Sequence, residues 1–177
     1  MSDIEHEGKI LQIDVEALQK KFAQLGVKMV GDYTFRRYVF DIVPAQKGTW
    51  VRLRTNGTET TLTVKQIASN AIDGTHEWEV GVSDFDTTLE ILKKSGLTPK
   101  GYQENRRIEY AWQGAMLCID YWPKLQPYLE IETEAKEEVK RIASELGFSL
   151  SELTGDNTMK LYAKQGIDLD QVAELKF

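Results

Sequence analysis

The chain has 177 residues, 41% of them hydrophobic, and carries 22 Lys and Arg against 28 Asp and Glu, a net charge of −6. That length suits one domain with apolar material for a packed core, and the composition excludes collagen-like, low-complexity and disulfide-scaffold architectures. The negative balance argues against a diffuse polyanion-binding surface, so no nucleic-acid partner is expected, and no apolar run approaches the length of a membrane span.

Elements follow in chain order. The first residues lack the apolar core of a signal peptide, and the lone Cys118 fits a reducing compartment, so a cytoplasmic location is expected. A strand over 4–12 leads into a helix over 14–26, where Val15, Leu18, Phe22 and Leu25 step by three and four, Asp14 caps the start and Gly26 ends it. A strand over 35–42 follows. Strands over 49–54 and 60–66 are joined through Asn56-Gly57, a pair that tolerates the positive φ angles of tight hairpins. The turn Asp73-Gly74 opens a strand over 76–82. A helix over 84–96 presents Phe85, Leu89 and Leu92 on one face. Gln113-Gly114 joins strands over 106–112 and 115–121, and a loop between Pro123 and Pro127 leads to a strand over 128–133. A third helix is expected over 133–147, a weaker one from about Asp156 through Met159, Leu161 and Tyr162, and a fifth over 168–175.

The chain also repeats itself. Sliding residues 6–41 forward by 70 positions places His6, Glu7, Asp14, Gly26, Gly31, Arg36 and Arg37 on identical residues, so that Arg37 falls on Arg107. A shift of 67 sets Leu62 to Lys65 on Leu129 to Glu132. Each half reads strand, helix, strand, strand, strand. The expected organisation is one α+β domain over 1–177, with halves 4–66 and 75–133 and helices over 134–177. Its sheet would close as an eight-stranded antiparallel barrel with helices packed outside, because closure removes exposed edges.

Charge sits at alternate positions inside these strands, which places it on one sheet face. Glu5, Glu7 and Lys9 share a face, as do Arg52 and Arg54, Thr61, Thr63 and Lys65, Glu77 and Glu79, and Glu130 and Glu132, with Arg107 and Asp120 as single members. The intervening Leu53, Leu62, Val64, Trp78, Val80, Ile119, Leu129 and Ile131 call for burial under the helices. The charges then point into a lumen, where unpaired charge costs several kcal/mol per ion, on the order of what an ion or charged ligand offsets. Carboxylates suit Mg²⁺ or Mn²⁺, Arg and Lys suit phosphate oxygens, and a metal-bound polyphosphate satisfies both. His6 and His76 fall on the opposite face and read as structural. Cys118 has no base partner marked for it, and Trp50, Trp78, Trp112 and Trp122 read as core or rim packing. An ordinary salt-bridged sheet with one wet face is the plainest alternative.

Taken in order, Glu5-x-Glu7-x-Lys9, Arg52-Leu-Arg54, Thr61-Leu-Thr-Val-Lys65, Glu77-Trp-Glu79, Arg107, Asp120 and Tyr128-Leu-Glu-Ile-Glu132 resemble the CYTH family of triphosphate tunnel metalloenzymes over roughly 4–165, most closely its class IV adenylate cyclase-like and thiamine triphosphatase-like branch. The resemblance implies a tunnel that holds a small-molecule triphosphate with Mg²⁺ or Mn²⁺. It implies metal sites from Glu5, Glu7, Asp120, Glu130 and Glu132, and phosphate contacts from Lys9, Arg52, Arg54, Lys65 and Arg107, with Lys160 as a lid lysine. Glu5, Glu7, Lys9 and Lys65 would carry the chemistry, and Glu77 and Glu79 would line the tunnel. The sequence departs from the cyclase-like pattern at Asn105, where a Lys is common, and at Thr158-Met159, where Ser-Tyr is expected. The expected activity is therefore metal-dependent phosphoanhydride hydrolysis. Formation of cyclic AMP from ATP is the first alternative and non-catalytic nucleotide or polyphosphate binding the second, while a homodimer stays open.

Overall fold

The computed structural model describes residues 3–69, 71 and 74–177, with the side chains of residues 3–5 outside the description. The chain runs β1 (Asp3–Ile10), α1 (Val15–Leu25), β2 (Lys28–Asp41), β3 (Thr49–Thr55), β4 (Thr60–Ile67), β5 (Thr75–Gly81), α2 (Phe85–Lys94), β6 (Pro99–Trp112), β7 (Ala115–Tyr121), β8 (Tyr128–Thr133), α3 (Lys136–Glu145), β9 (Leu153–Thr154), α4 (Thr158–Lys164) and β10 (Glu174–Leu175). The order strand, helix, strand, strand, strand thus occurs twice before α3. Strands pair as β6-β2-β3-β4-β5-β1-β8-β7, and β7 pairs back onto β6, closing an antiparallel ring of eight. β1 and β5 are exchanged between the halves: β5 pairs with β4, and β1 with β8. The short β9 and β10 fill edges of β1 and β6 that their neighbours leave unpaired.

Helices cover the outside. Asp14 accepts from the Ala17 amide at 3.0 Å and Gly26 ends α1 at φ 69°, as the sequence predicts. Leu18 and Phe22 of α1 bury against Ile108 and Tyr110, the Phe22 and Tyr110 rings meeting edge-on at 4.8 Å. Asp84 caps α2 through Thr87, and Phe85, Leu89 and Leu92 cover Phe40, Val51 and Leu53. α3 lies on β1 and β8 and β9 lies beside β1, close enough that a Cβ at residue 8 would come within 2.9 Å of Val139 and 2.7 Å of Leu153, so any residue larger than Gly8 would have to push both side chains aside. That close approach holds the flanking Glu7 and Lys9 on the opposite, inward face.

Several elements differ from expectation. β2 begins at Lys28 and β6 at Pro99, each seven residues earlier than the spacing suggests. A register shift between Met29 and Gly31 breaks the alternation in β2, and the polar Lys100 to Asn105 disguises β6. The third helix starts at Lys136 because Thr133 still belongs to β8. No helix spans 168–175: a single 3₁₀ turn at Leu169–Gln171 is followed by β10, whose backbone bonds to β6 outweigh the weak helical pattern. Asp73 of the predicted Asp73-Gly74 turn lies outside the described residues. Trp78 and Val80, expected to be buried, are 42% and 57% exposed. β8 is followed by the covering helix α3, whereas β4 passes straight into β5, so the outer face of β5 has no helix over it. No helix among the described residues is long and apolar enough to cross a membrane.

Leu53 under α2 is 0% exposed. Leu53→Ala is therefore expected to cost about 2–5 kcal/mol in urea unfolding, and Val80→Ala to stay within about 0.5 kcal/mol; a comparable loss at both positions would contradict the one-sided cover.

Candidate functional site

Because β-strands alternate, the closed ring turns every second side chain inward, and here the inward set is charged. A cavity of about 970 Å³ runs through the barrel. Glu7, Lys9, Arg52, Arg54, Lys65, Glu77, Glu79, Arg107, Glu130, Glu132 and Lys160 all border it. Asp120 does not: it is fully buried behind Arg107. Glu5 stands in β1, with its side chain outside the described residues. Neither His6 nor His76 borders the cavity, and the His76 ring stacks on Trp78 at 6.2 Å. Cys118 is buried, and burial pushes its thiol far above the usual range, so it is no nucleophile.

Two ion-pair networks brace the walls. In the first, the Lys9 ammonium, only 2% exposed, lies 2.7 Å from Glu7 and 3.1 Å from Glu130. Arg107 binds Asp120 through two contacts, at 2.9 and 2.6 Å, and Glu130 at 2.7 Å. Burial opposes the charge of Lys9, but Glu130 and Glu7 outweigh it and hold the ammonium well above its ordinary value. Burial likewise opposes Glu130, yet Lys9 and Arg107 hold its carboxyl far below the carboxylate range. Asp120 is pushed up by burial and by Glu130 while Arg107 pulls it down; the paired short contacts make the ionised pair the state we take. In the second network, Arg52 reaches Glu77 at 3.1 Å and Glu79 at 3.2 Å, and Lys65 lies 3.1 Å from Glu77. Thr63 locks Glu79 through a 2.6 Å hydrogen bond.

Two guanidinium groups stand apart from both networks. Arg54 makes no ion pair among the described residues and lies over the Phe35 ring at 4.7 Å. Burial, then Arg52 and Arg107, bring it down to about 10. Arg37 donates to the Asn105 amide oxygen and lies over the Trp122 ring at 4.7 Å, with no carboxylate partner among the described residues. Burial and the neighbouring Arg52, Arg54 and Arg107 push Arg37 well below its ordinary value. The Nε atoms of Arg37 and Arg52 are buried without a hydrogen-bond partner among the described residues. On the acidic side Glu132, exposed to solvent, has no ion pair among the described residues, and local desolvation together with Glu130 and Glu7 pushes its carboxyl up.

Arg37, which borders the cavity, and Asn105, buried against it, are residues that reasoning from paired charges passed over. Arg37 stands beside a second arginine, Arg36, which faces outward over the Phe85 ring, so the pair does not alternate in sign or polarity. The signal was the repeat, which sets Arg37 on Arg107. Trp122, read from the sequence as core or rim packing, does pack in the buried cluster with Tyr128 and Tyr162, and it also forms part of the cavity wall beneath Arg37. Lys160 sits on α4, which Asn157 caps, and its ammonium lies 3.6 Å from Asp156 at the cavity border.

Comparison with known proteins places this architecture. Solved structures with the same fold include a protein from Pyrococcus horikoshii OT3, 23% identical, with a TM-score of 0.76 over 89% of this chain and 99% of that one. A putative adenylate cyclase from Vibrio parahaemolyticus, 12% identical, matches with a TM-score of 0.77 over 92% of this chain and 99% of its own. A putative adenylyl cyclase from Hippeastrum with a dominant triphosphatase activity, 17% identical, matches at 0.64 over 96% of this chain and 99% of that one. At such identities the likeness is one of fold. Among proteins of curated function none matches. The family model of the CYTH domain matches residues 3–163, nearly the whole barrel and α4, and the chain belongs to the CYTH domain family.

Proposed function

We propose that the tunnel binds a triphosphate together with Mg²⁺ or Mn²⁺ and that the protein is an enzyme that cleaves it by phosphoanhydride hydrolysis. The observation that carries this reading is the pair Arg37 and Arg54: one buried and one half-buried guanidinium group that lack a carboxylate among the described residues, inside a cavity that also holds Lys9, Arg52, Lys65 and Arg107. Unpaired buried charge is costly, and a polyanion relieves it at several points at once. The volume of about 970 Å³ exceeds what a bare phosphate chain needs and leaves room for an organic group on it.

The acidic wall suits a hard divalent cation. Carboxylate oxygens are the donors such cations take, and Glu130 and Glu7 both raise the Glu132 carboxyl, although among the described residues no three carboxylates stand close enough together to hold a cation as they are. Glu5, two residues before Glu7, would join them, whereas Asp120 serves by anchoring Arg107. When bound, the metal would neutralise phosphate oxygens and acidify a coordinated water. The rest falls to the side chains of this chain. Arg37, Arg52, Arg54 and Lys65 grip the phosphate oxygens and hold the terminal phosphorus in place. Lys9 and Arg107 keep Glu130 ionised. Water attacks the terminal phosphorus, the anhydride P–O bond breaks, and the basic wall stabilises the charge left on the departing oxygen. Lys160, at the cavity border on α4, closes the phosphate cage.

Tripolyphosphate, thiamine triphosphate and ATP, each offered with Mg²⁺ and with Mn²⁺, are expected to release phosphate or pyrophosphate from at least one pairing. Binding without release would reduce the protein to a binding module, cyclic AMP from ATP would make it a cyclase, and no binding at all would end the triphosphate reading. Arg54→Ala should weaken triphosphate binding roughly tenfold to a hundredfold by calorimetry while leaving the circular dichroism spectrum unchanged.

Glu132 supplies a test of sign. Its carboxyl is raised above the ordinary 4.5, so its ionised form destabilises the fold, and that contribution is relieved as pH falls through the raised value. Glu132→Gln is thus expected to raise the melting temperature at neutral pH without metal and to shrink the rise that Mn²⁺ produces. A lower melting temperature with an undiminished Mn²⁺ effect would show that Glu132 holds no metal.

A further inference from the structure

We propose that Asn105 is a positioning residue for the anion site: its neutral amide holds the Arg37 guanidinium at the tunnel wall and leaves the charge of Arg37 for a phosphate group. This rests on the triphosphate reading and adds to it a residue that the charge pattern does not mark.

Asn105 stands in β6 opposite Phe35 and is 1% exposed. Its Oδ1 accepts from Arg37 Nη2, and its Nδ2 donates to Asp120 Oδ1 at 3.3 Å. Beyond Asp120 the contacts continue through Arg107, Glu130 and Lys9 to Glu7. Asn105 is the only uncharged side chain in that series. Every other cation in it touches a carboxylate, and Arg37 touches an amide.

The amide is the side chain that this place requires. Arg37 needs an acceptor and Asp120 takes a donor, and asparagine offers one of each. A carboxylate here would neutralise Arg37 and stand against Asp120. An ammonium would repel Arg37 and Arg107. An aliphatic side chain would strand two buried polar groups, at about 1–3 kcal/mol each. The ring of Trp122 braces the guanidinium from another side, and the Arg37 Nε has no hydrogen-bond partner among the described residues. Arg37 is therefore fixed in place but not neutralised, which is the state that favours capture of an anion.

A double-mutant cycle of Asn105→Asp and Arg37→Gln tests this, read by tripolyphosphate calorimetry and by the melting temperature without ligand. Asn105→Asp alone should weaken tripolyphosphate binding roughly tenfold or more, while the ionic partner that Arg37 gains should offset the melting-temperature loss that opposition to Asp120 brings. In the Arg37→Gln background the same change should cost no further binding and give no such thermal benefit. Equal effects in both backgrounds, or a lower melting temperature with kcat and KM impaired together, would overturn the proposal. If Asn105→Asp does not fold, Asn105→Leu enters the same cycle: its loss of binding should require Arg37, and a loss independent of Arg37 would overturn the proposal. If the unmodified protein binds no tripolyphosphate, the triphosphate reading falls. The ligand-free melting cycle then decides the contact by itself, coupling between 105 and 37 supporting it and additivity refuting it.

Discussion

Four guanidinium groups, Arg37, Arg52, Arg54 and Arg107, share one enclosed lumen and repel one another. The rest of the molecule is arranged so that the barrel folds in spite of this. Arg107 is tied to Asp120 and Glu130, and Arg52 to Glu77 and Glu79. The other two are left with an amide and with aromatic faces. A fold stable by only about 5–15 kcal/mol keeps such a cluster only where the networks around it compensate. For the polyanion we propose, such a cluster is preorganised, because the cost of gathering the cations is met by folding rather than at the moment of binding.

The two walls behave differently. On one, Lys9, Glu130, Arg107 and Asp120 form a closed set in which each charge has a partner, so that wall is rigid and its protonation states are fixed. On the other, Arg37 and Arg54 face the cavity without a carboxylate partner among the described residues, whereas Glu132, on the first wall beside Glu130, crowds its own kind. The surplus positive charge and the surplus carboxylate each lack what a phosphate and a cation would bring. Asn105 joins the rigid wall to the open one.

Much of this was legible in the sequence. Alternating charge in the strands identified the inward face, Asn56-Gly57 and Gln113-Gly114 marked the hairpins, and capped periodic segments gave α1 and α2 within a residue or two. What stayed hidden had physical reasons. β2 and β6 began early because a bulge and a polar stretch broke the period-two pattern on which strand reasoning rests. The C-terminal segment read as helix, while its pairing with β6 is a long-range contact that no local pattern records. Trp78 looked like core because every apolar residue between charges was assigned to a covered face; whether a helix follows β4 decides that, and none does. Arg37 was hidden by its neighbour Arg36, although the repeat already aligned it with Arg107. Asn105 stood out in the sequence only as a departure where a Lys is common, and its contacts with Arg37 and Asp120 lie wholly in what the closed barrel brings to it.

The claim on which all of this depends is that the lumen is short of negative charge and takes up a polyanion. Melting temperature against tripolyphosphate concentration, at constant ionic strength, measures it most directly. The account predicts a saturable rise that follows ligand occupancy and is not reproduced by chloride at matched ionic strength. A melting temperature that does not move, or that moves equally with chloride, would contradict it.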